Sequence, residues 1–213
     1  HAGFYPDEKM IWIEGIRVSN NFRKKGLAQK MIHYFEGKAK SQEFKISRML
    51  IASENNPSLK LAKKLGYKII SKWNYFSLES KQISQQNTML SDSCLIDCEE
   101  LDMEKYNFIE SWRWIPLINE RLKKLNSENK IFCQKIGSEI TTLGIITESE
   151  SFENTVILEI LFGTELQTMI KFVQNIAYKK NYSKIRILTE LESLPKIENL
   201  ENKFPFYLME KKL

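Results

Sequence analysis

Residues 10–18, MIWIEGIRV, form an apolar-rich run in which Ile, Trp and Val suit a strand. A polar turn, Ser19-Asn20-Asn21, follows it. From Leu27 the spacing changes: Leu27, Met31 and Phe35, with Ala28, Ile32 and Ala39 beside them, make one stripe of a helix. Residues 46–53, ISRMLIAS, read as a second strand, and a helical segment then runs to Leu65-Gly66-Tyr67. Residues 1–9 read as a loop with a turn at Pro6-Asp7. Residues 81–93 are polar throughout and read as a linker.

Beyond that linker the pattern alternates again. Residues 94–98 read as a short strand, and residues 102–125 as a helix broken at Pro116. Residues 131–136 and 140–147 read as a hairpin around Gly137-Ser138. Residues 155–161 form another apolar strand, and Leu166, Met169, Ile170, Val173 and Ala177 make a helical stripe. A strand over 184–189, a short helix over 195–202 and a final strand over 206–210 complete the chain. Such alternation predicts an α/β (α+β) architecture, with a mixed central sheet flanked by helices.

Composition is that of a globular protein, with 42% hydrophobic residues in 213, room for one large domain or two small ones. No apolar run approaches the ~20 residues that span a bilayer, and no signal-peptide pattern appears. Cys94, Cys98 and Cys133 make no disulfide framework, and reduced thiols in a cytoplasmic protein are expected. With only His1 and His33 in the chain, no metal site is expected. Charge is uneven. Residues 1–80 hold 15 Lys and Arg against 7 Asp and Glu, net +8, whereas 81–213 hold 17 against 20, net −3. No aromatic-interleaved basic stripe points to nucleic acid.

The basic half contains Arg23-Lys24-Lys25-Gly26-Leu27-Ala28, at the junction between the first strand and the first helix. Unpaired backbone N–H groups and the helix dipole favour an anion there. Gly26 allows close approach of a ligand, and Ala28 keeps the first turn uncrowded. Neither G-x-x-x-x-G-K-[ST] nor G-x-G-x-x-G is present, so two other phosphate loops are set aside. A solvated basic turn is the plain alternative.

Arg23, Gly26 and Ala28, following Val18, together with Asn55, Ser58 and Leu65-Gly66-Tyr67 in order and spacing, resemble the Gcn5-related N-acetyltransferase (GNAT) superfamily. Its acetyl-CoA loop has the form [QR]-x-x-G-x-[GA]. The resemblance covers residues 10–78 and implies acetyl-CoA as cosubstrate. It implies contacts from Ile16, Arg17, Val18, Arg23, Lys24, Lys25, Gly26, Leu27, Ala28, Asn55 and Ser58. It also implies a strand, two helices and two further strands before residue 10, so residues 1–80 would be the carboxyl half of such a domain. The element order of residues 94–213 is similar to a second copy, degenerate because its junction, Leu161-Phe162-Gly163-Thr164-Glu165, has an acid in place of Arg and Lys.

Acetyl transfer to an amine needs positioning, a polarised thioester carbonyl and a proton acceptor. Glu14 is the candidate base, since alternation along a strand puts it on the face of Ile16 and Val18. A structural or substrate-orienting carboxylate is the other reading of Glu14. The family's usual acid, a Tyr four residues before the Gly of Leu-Gly-[FY], is Ala62 here, leaving solvent, Tyr75 or Tyr34. Three readings follow. The first is an N-acetyltransferase acting on a small or amino-acid-like primary amine, with no nucleic-acid or membrane partner. The second is a catalytically impaired acyl-CoA-binding regulatory module. The third is a protein acetyltransferase that docks its substrate through residues 94–213.

Overall fold

The computed structural model describes residues 1–83, 105–137, 139–150 and 152–213. The first strand, β1 (Ala2–Tyr5), pairs antiparallel with β2 (Met10–Ile13) through a turn in which the Lys9 N–H reaches the Pro6 carbonyl. Residues 1–9 are thus not merely a loop, and β2 has a neighbour. After a 3-10 turn (Asn20–Phe22) come α1 (Leu27–Ser41), β3 (Ile46–Ala52), α2 (Asn56–Lys64) and the long β4 (Lys68–Glu79). The hairpin β5 (Asn107–Glu110) and β6 (Arg113–Pro116) precedes α3 (Asn119–Ser127). Then follow β7 (Ile131–Ile136), β8 (Glu139–Glu148), β9 (Thr155–Gly163), α4 (Leu166–Lys179) and β10 (Lys184–Thr189). The short β11 (Glu201–Asn202) and β12 (Phe206–Lys212) end the described chain.

Two compact units result: His1–Lys72 with Pro205–Leu213, and Trp73–Phe204. The chain passes from one to the other inside β4. In the first unit the strand order is β1-β2-β3-β12, with β12 next to the start of β4. Strand β12, grouped by the sequence with residues 94–213, pairs antiparallel with β3 over seven positions, from Phe206↔Ala52 to Lys212↔Ile46. An ion pair between Arg48 and Glu210, 2.8 Å apart and directly opposed in that register, ties the two strands. The core of this unit gathers Ile11, Ile32, Ala39, Met49, Leu59, Tyr67 and Met209.

Helix α2 shows how a motif becomes structure. Asn55 caps its start by accepting from the Ser58 N–H at 3.3 Å, and Pro57 occupies the first turn, where its missing N–H costs nothing. At its end Gly66 (φ +90°) turns left-handed, with the Gly66 N–H on the Lys63 carbonyl and the Tyr67 N–H on the Ala62 carbonyl. Leu65-Gly66-Tyr67 is therefore a helix stop that swings Tyr67 into the core, where it is 2% exposed.

The second unit orders its strands β4-β10-β9-β8-β7, with β11 on β4 and the hairpin β5–β6 apart. The hairpin replaces most of the helix expected over 102–125. Phe108, Ile109, Trp114 and Ile115 are buried, and positive φ at Ser111 (+49°) and Trp112 (+66°) makes a two-residue turn suited to hairpin twist. The helix is confined to α3. The helix expected over 195–202 also fails to form: Leu194, Ile197 and Leu200 pack against the core from a loop, which then supplies β11. Cys133, fully buried on β7, takes part in a disulfide, contrary to the expectation of reduced thiols. The expected strand over 94–98, with Cys94 and Cys98, and most of the expected linker lie outside the described residues. No helix among the described residues is long and apolar enough to cross a membrane.

Candidate functional site

Strand β2 is buried at every position, and it runs parallel to β3 for only three pairs: Met10↔Ile46, Ile11↔Ser47 and Trp12↔Arg48. Strand β3 continues to Ala52, held from its other side by β12. Past Trp12 and Arg48 the two parallel strands therefore part. The expected strand over 10–18 stops at Ile13 because Gly15 adopts φ +64°, a left-handed conformation open to glycine. That turn breaks the period of two, so alternation no longer places Glu14, Ile16 and Val18 on one face. Ile16 and Val18 are half-buried and Arg17 is exposed.

Glu14 is held from both chain directions. The Trp12 indole N–H donates to its carboxylate at 2.9 Å, and its backbone exchanges hydrogen bonds with His1 at 3.0 and 3.2 Å. Trp12, 1% exposed, is a core residue whose indole N–H reaches this site. Its signal was modest: an indole two residues from a carboxylate in a strand-like run.

The loop after Val18 closes on itself. The Phe22 N–H reaches the Ser19 carbonyl, and the Arg23 Nε–H donates to the Val18 carbonyl at 3.0 Å, joining the basic loop to the end of the extended segment. Lys25 lies over the Phe22 ring, 5.3 Å from its centroid. Gly26 (φ +74°) is the N-cap of α1, and a Cβ added there would meet nothing within 4 Å, so the backbone faces open space. No side chain caps α1 and no acid lies in its first turn, which leaves the leading N–H groups at Leu27 and Ala28 available to an anion. From residue 15 to 42 the only acidic side chain is Glu36, against seven Lys and Arg. Glu36 is buried and paired with Lys211 at 2.7 Å.

Asn55 and Ser58 lie at the next strand-to-helix junction. Because α1 follows β2, α2 follows β3, and the two strands are parallel, Gly26 and Asn55 occupy the same end of the pair, flanking the place where it opens. Both Asn55 and Ser58 are already used in capping α2. Ala62 is 1% exposed and has no proton to give. The Tyr67 hydroxyl donates to Glu36 at 2.9 Å and bonds Ser47, and burial raises its pKa far above the ordinary phenol range, so it is a structural group. Tyr34 is 68% exposed, and Tyr75 packs against Trp112 and Phe204 in the second unit.

The corresponding place in the second unit is shut. Strands β9 and β10 pair over six positions, and the Thr189 hydroxyl donates to the Ile160 carbonyl at 2.9 Å at the far end of that pairing. The Glu165 N–H is taken by the Thr142 hydroxyl at 3.1 Å, and a Cβ on Gly163 would stand 2.5 Å from the Thr142 methyl. Thr142 thus crowds the junction whose counterpart at Gly26 stands open.

A mixed sheet with helices, a parallel pair that parts, and a basic glycine turn opening the next helix define an α/β protein of the GNAT fold. Residues 1–67 match the model of the acetyltransferase (GNAT) family, and this segment carries the parted strands and the basic turn. Solved structures agree on the fold. A Thermoplasma acidophilum protein assigned as an acetyltransferase superposes with a TM-score of 0.63 at 12% identity, covering 100% of this chain and 73% of that one. A GCN5-related N-acetyltransferase from Sphaerobacter thermophilus gives 0.61 at 11% identity, covering 99% and 75%. A tandem GNAT protein from the clavulanic acid biosynthesis pathway gives 0.52 at 8% identity, covering 96% and 75%. No curated protein matches the chain. Among the described residues no cluster of three or more His, Cys, Asp or Glu could hold a metal ion.

Proposed function

We propose that this protein transfers the acetyl group of acetyl-CoA to a primary amine of a small, amino-acid-like substrate by direct attack. The observation that carries the reading is the opening of β2 from β3 beside an uncapped helix start with no acid in its first turn. Backbone groups of Ile16, Arg17 and Val18 would pair with the pantetheine arm. The N–H groups of Gly26, Leu27 and Ala28, with Arg23, Lys24 and Lys25, would hold the pyrophosphate. Asn55 and Ser58 would border the arm from the α2 side. The open space around Gly26 fits this use, since a side chain there would stand where a phosphate must approach.

In the transfer the amine nitrogen bonds to the acetyl carbon and the carbon–sulfur bond breaks. The amine proton passes to the Glu14 carboxylate, which the Trp12 indole orients. The leaving thiolate takes its proton from solvent, because Ala62 offers none. That alanine also supports a second reading, an acyl-CoA-binding regulatory module without efficient turnover.

Thermal unfolding with and without acetyl-CoA tests both. Ligand at ~100 times its dissociation constant should add about 2.7 kcal/mol, or roughly 5 °C or more for a chain of this size. The shift should vanish in an Arg23→Glu/Gly26→Glu variant. No shift in the parent chain would refute both readings. A shift without thiol release across a panel of amines would select the regulatory one.

A further inference from the structure

The second unit encloses a cavity of about 210 Å³ that acetyl transfer leaves unused. It sits where α4 ends, between that helix, the close of β8 and the start of β9. This is the far end of α4 from the closed Gly163–Glu165 junction. Its floor is hydrocarbon, made by Phe132, Ile146, Val156, Val173, Ile176 and Ala177. Its rim carries both signs of charge, Glu128 and Glu148 against Lys130 and Lys180, with Tyr182 beside them.

Those charges are unevenly engaged. Lys130 Nζ lies 2.6 Å from Glu128, and the Tyr182 hydroxyl hydrogen-bonds Glu148. Lys180 has no ion-pair partner among the described residues. It follows directly on the last turn of α4, whose end carbonyls carry partial negative charge. A cation and a carboxylate among the lining residues, together with an apolar floor, are complementary to a zwitterion with a hydrocarbon tail. Size narrows the class. The cavity holds the equivalent of roughly seven waters at about 30 Å³ each, enough for a solute of about ten non-hydrogen atoms and too little for a nucleotide or a coenzyme.

We infer that this cavity binds a small aliphatic α-amino acid, its side chain on the Val156–Val173–Ala177 floor, its carboxylate at Lys180 and its ammonium at Glu148. A plain carboxylate would leave Glu148 without a counter-charge from the ligand, and a plain amine would leave Lys180 without one.

Calorimetric titration of the full chain without acetyl-CoA tests the site separately from the acyl-transfer reading. L-leucine should bind saturably. Shortening its side chain should weaken binding by about fourfold per methylene lost. 4-Methylpentanoate and 3-methylbutylamine, which each keep one charge, should bind at least about tenfold more weakly. Lys180→Glu, at an exposed position, should cost a similar factor with the unfolding temperature unchanged, and Ile176→Trp should fill the cavity and abolish binding. The inference fails if L-leucine gives no saturable signal up to about 10 mM. It fails equally if glycine, the carboxylate or the amine binds as tightly as leucine, or if Lys180→Glu leaves binding unchanged.

Discussion

At the scale of single residues, Glu14 separates what sequence spacing can say from what it cannot. Its place beside a strand end was legible. Its orientation was not, because the φ of +64° at Gly15 cancels the alternation on which a face assignment rests. A glycine inside a strand pattern is the only local sign of such a turn. Glu14→Gln keeps an acceptor for the Trp12 indole but removes the proton acceptor. We expect it to lower kcat by about 10²-fold or more with little change in the acetyl-CoA concentration for half-saturation. Steady-state kinetics of thiol release would show this, and an unchanged kcat would return Glu14 to a structural role. Gly26 was legible for a different reason: a left-handed glycine at a helix start is a local backbone demand, and local demands leave their mark on composition.

At the scale of elements, α1, β3, α4 and β10 follow the apolar periodicity within a residue or two, since each buries one face against its own unit. The hairpin β5–β6 does not, because NFIESWRWIP satisfies both helical and alternating templates and only burial decides between them. The deciding partner is Glu159 on β9. Its carboxylate accepts the Ile109 N–H at 2.9 Å, and its other oxygen is buried without a hydrogen-bond partner among the described residues. Burial pushes the Glu159 pKa well above the ordinary carboxylate range, against the smaller opposing effect of that hydrogen bond. With the folded value above the unfolded one, its stabilising contribution is complete below the unfolded pKa and is lost as pH rises through the folded pKa. Between the unfolded and the folded pKa the loss approaches ~1.4 kcal/mol per pH unit, and above the folded pKa it levels off. Glu159→Gln, with no proton to lose, should therefore gain in unfolding temperature relative to the parent as pH goes from 5 to 9. A constant difference across that range would contradict it.

For the whole molecule, β12 is the element the sequence mislocates. Its alternation was plain over 206–210, but nothing local announces that its partner is β3, more than 150 positions earlier. Long-range pairing is set by which edge remains open, and no short window contains that information. Deleting residues 205–213 should therefore injure the first unit. The Arg48–Glu210 and Glu36–Lys211 pairs and the buried Leu208 and Met209 go with it. We expect the acetyl-CoA-dependent thermal shift to disappear while amide exchange in α4, β9 and β10 stays protected. Loss of protection in α4 as well would show that the two units fold as one. The same placement bears on how the chain is made. Between Ala52, the end of β3, and Phe206, the start of the strand that completes it, 153 residues are synthesised. At about 5–20 residues per second that is roughly 8–31 s during which a nascent, half-finished sheet carries an open edge. During that interval the growing polypeptide is most exposed to mispairing with its neighbours on a polysome and most in need of a chaperone.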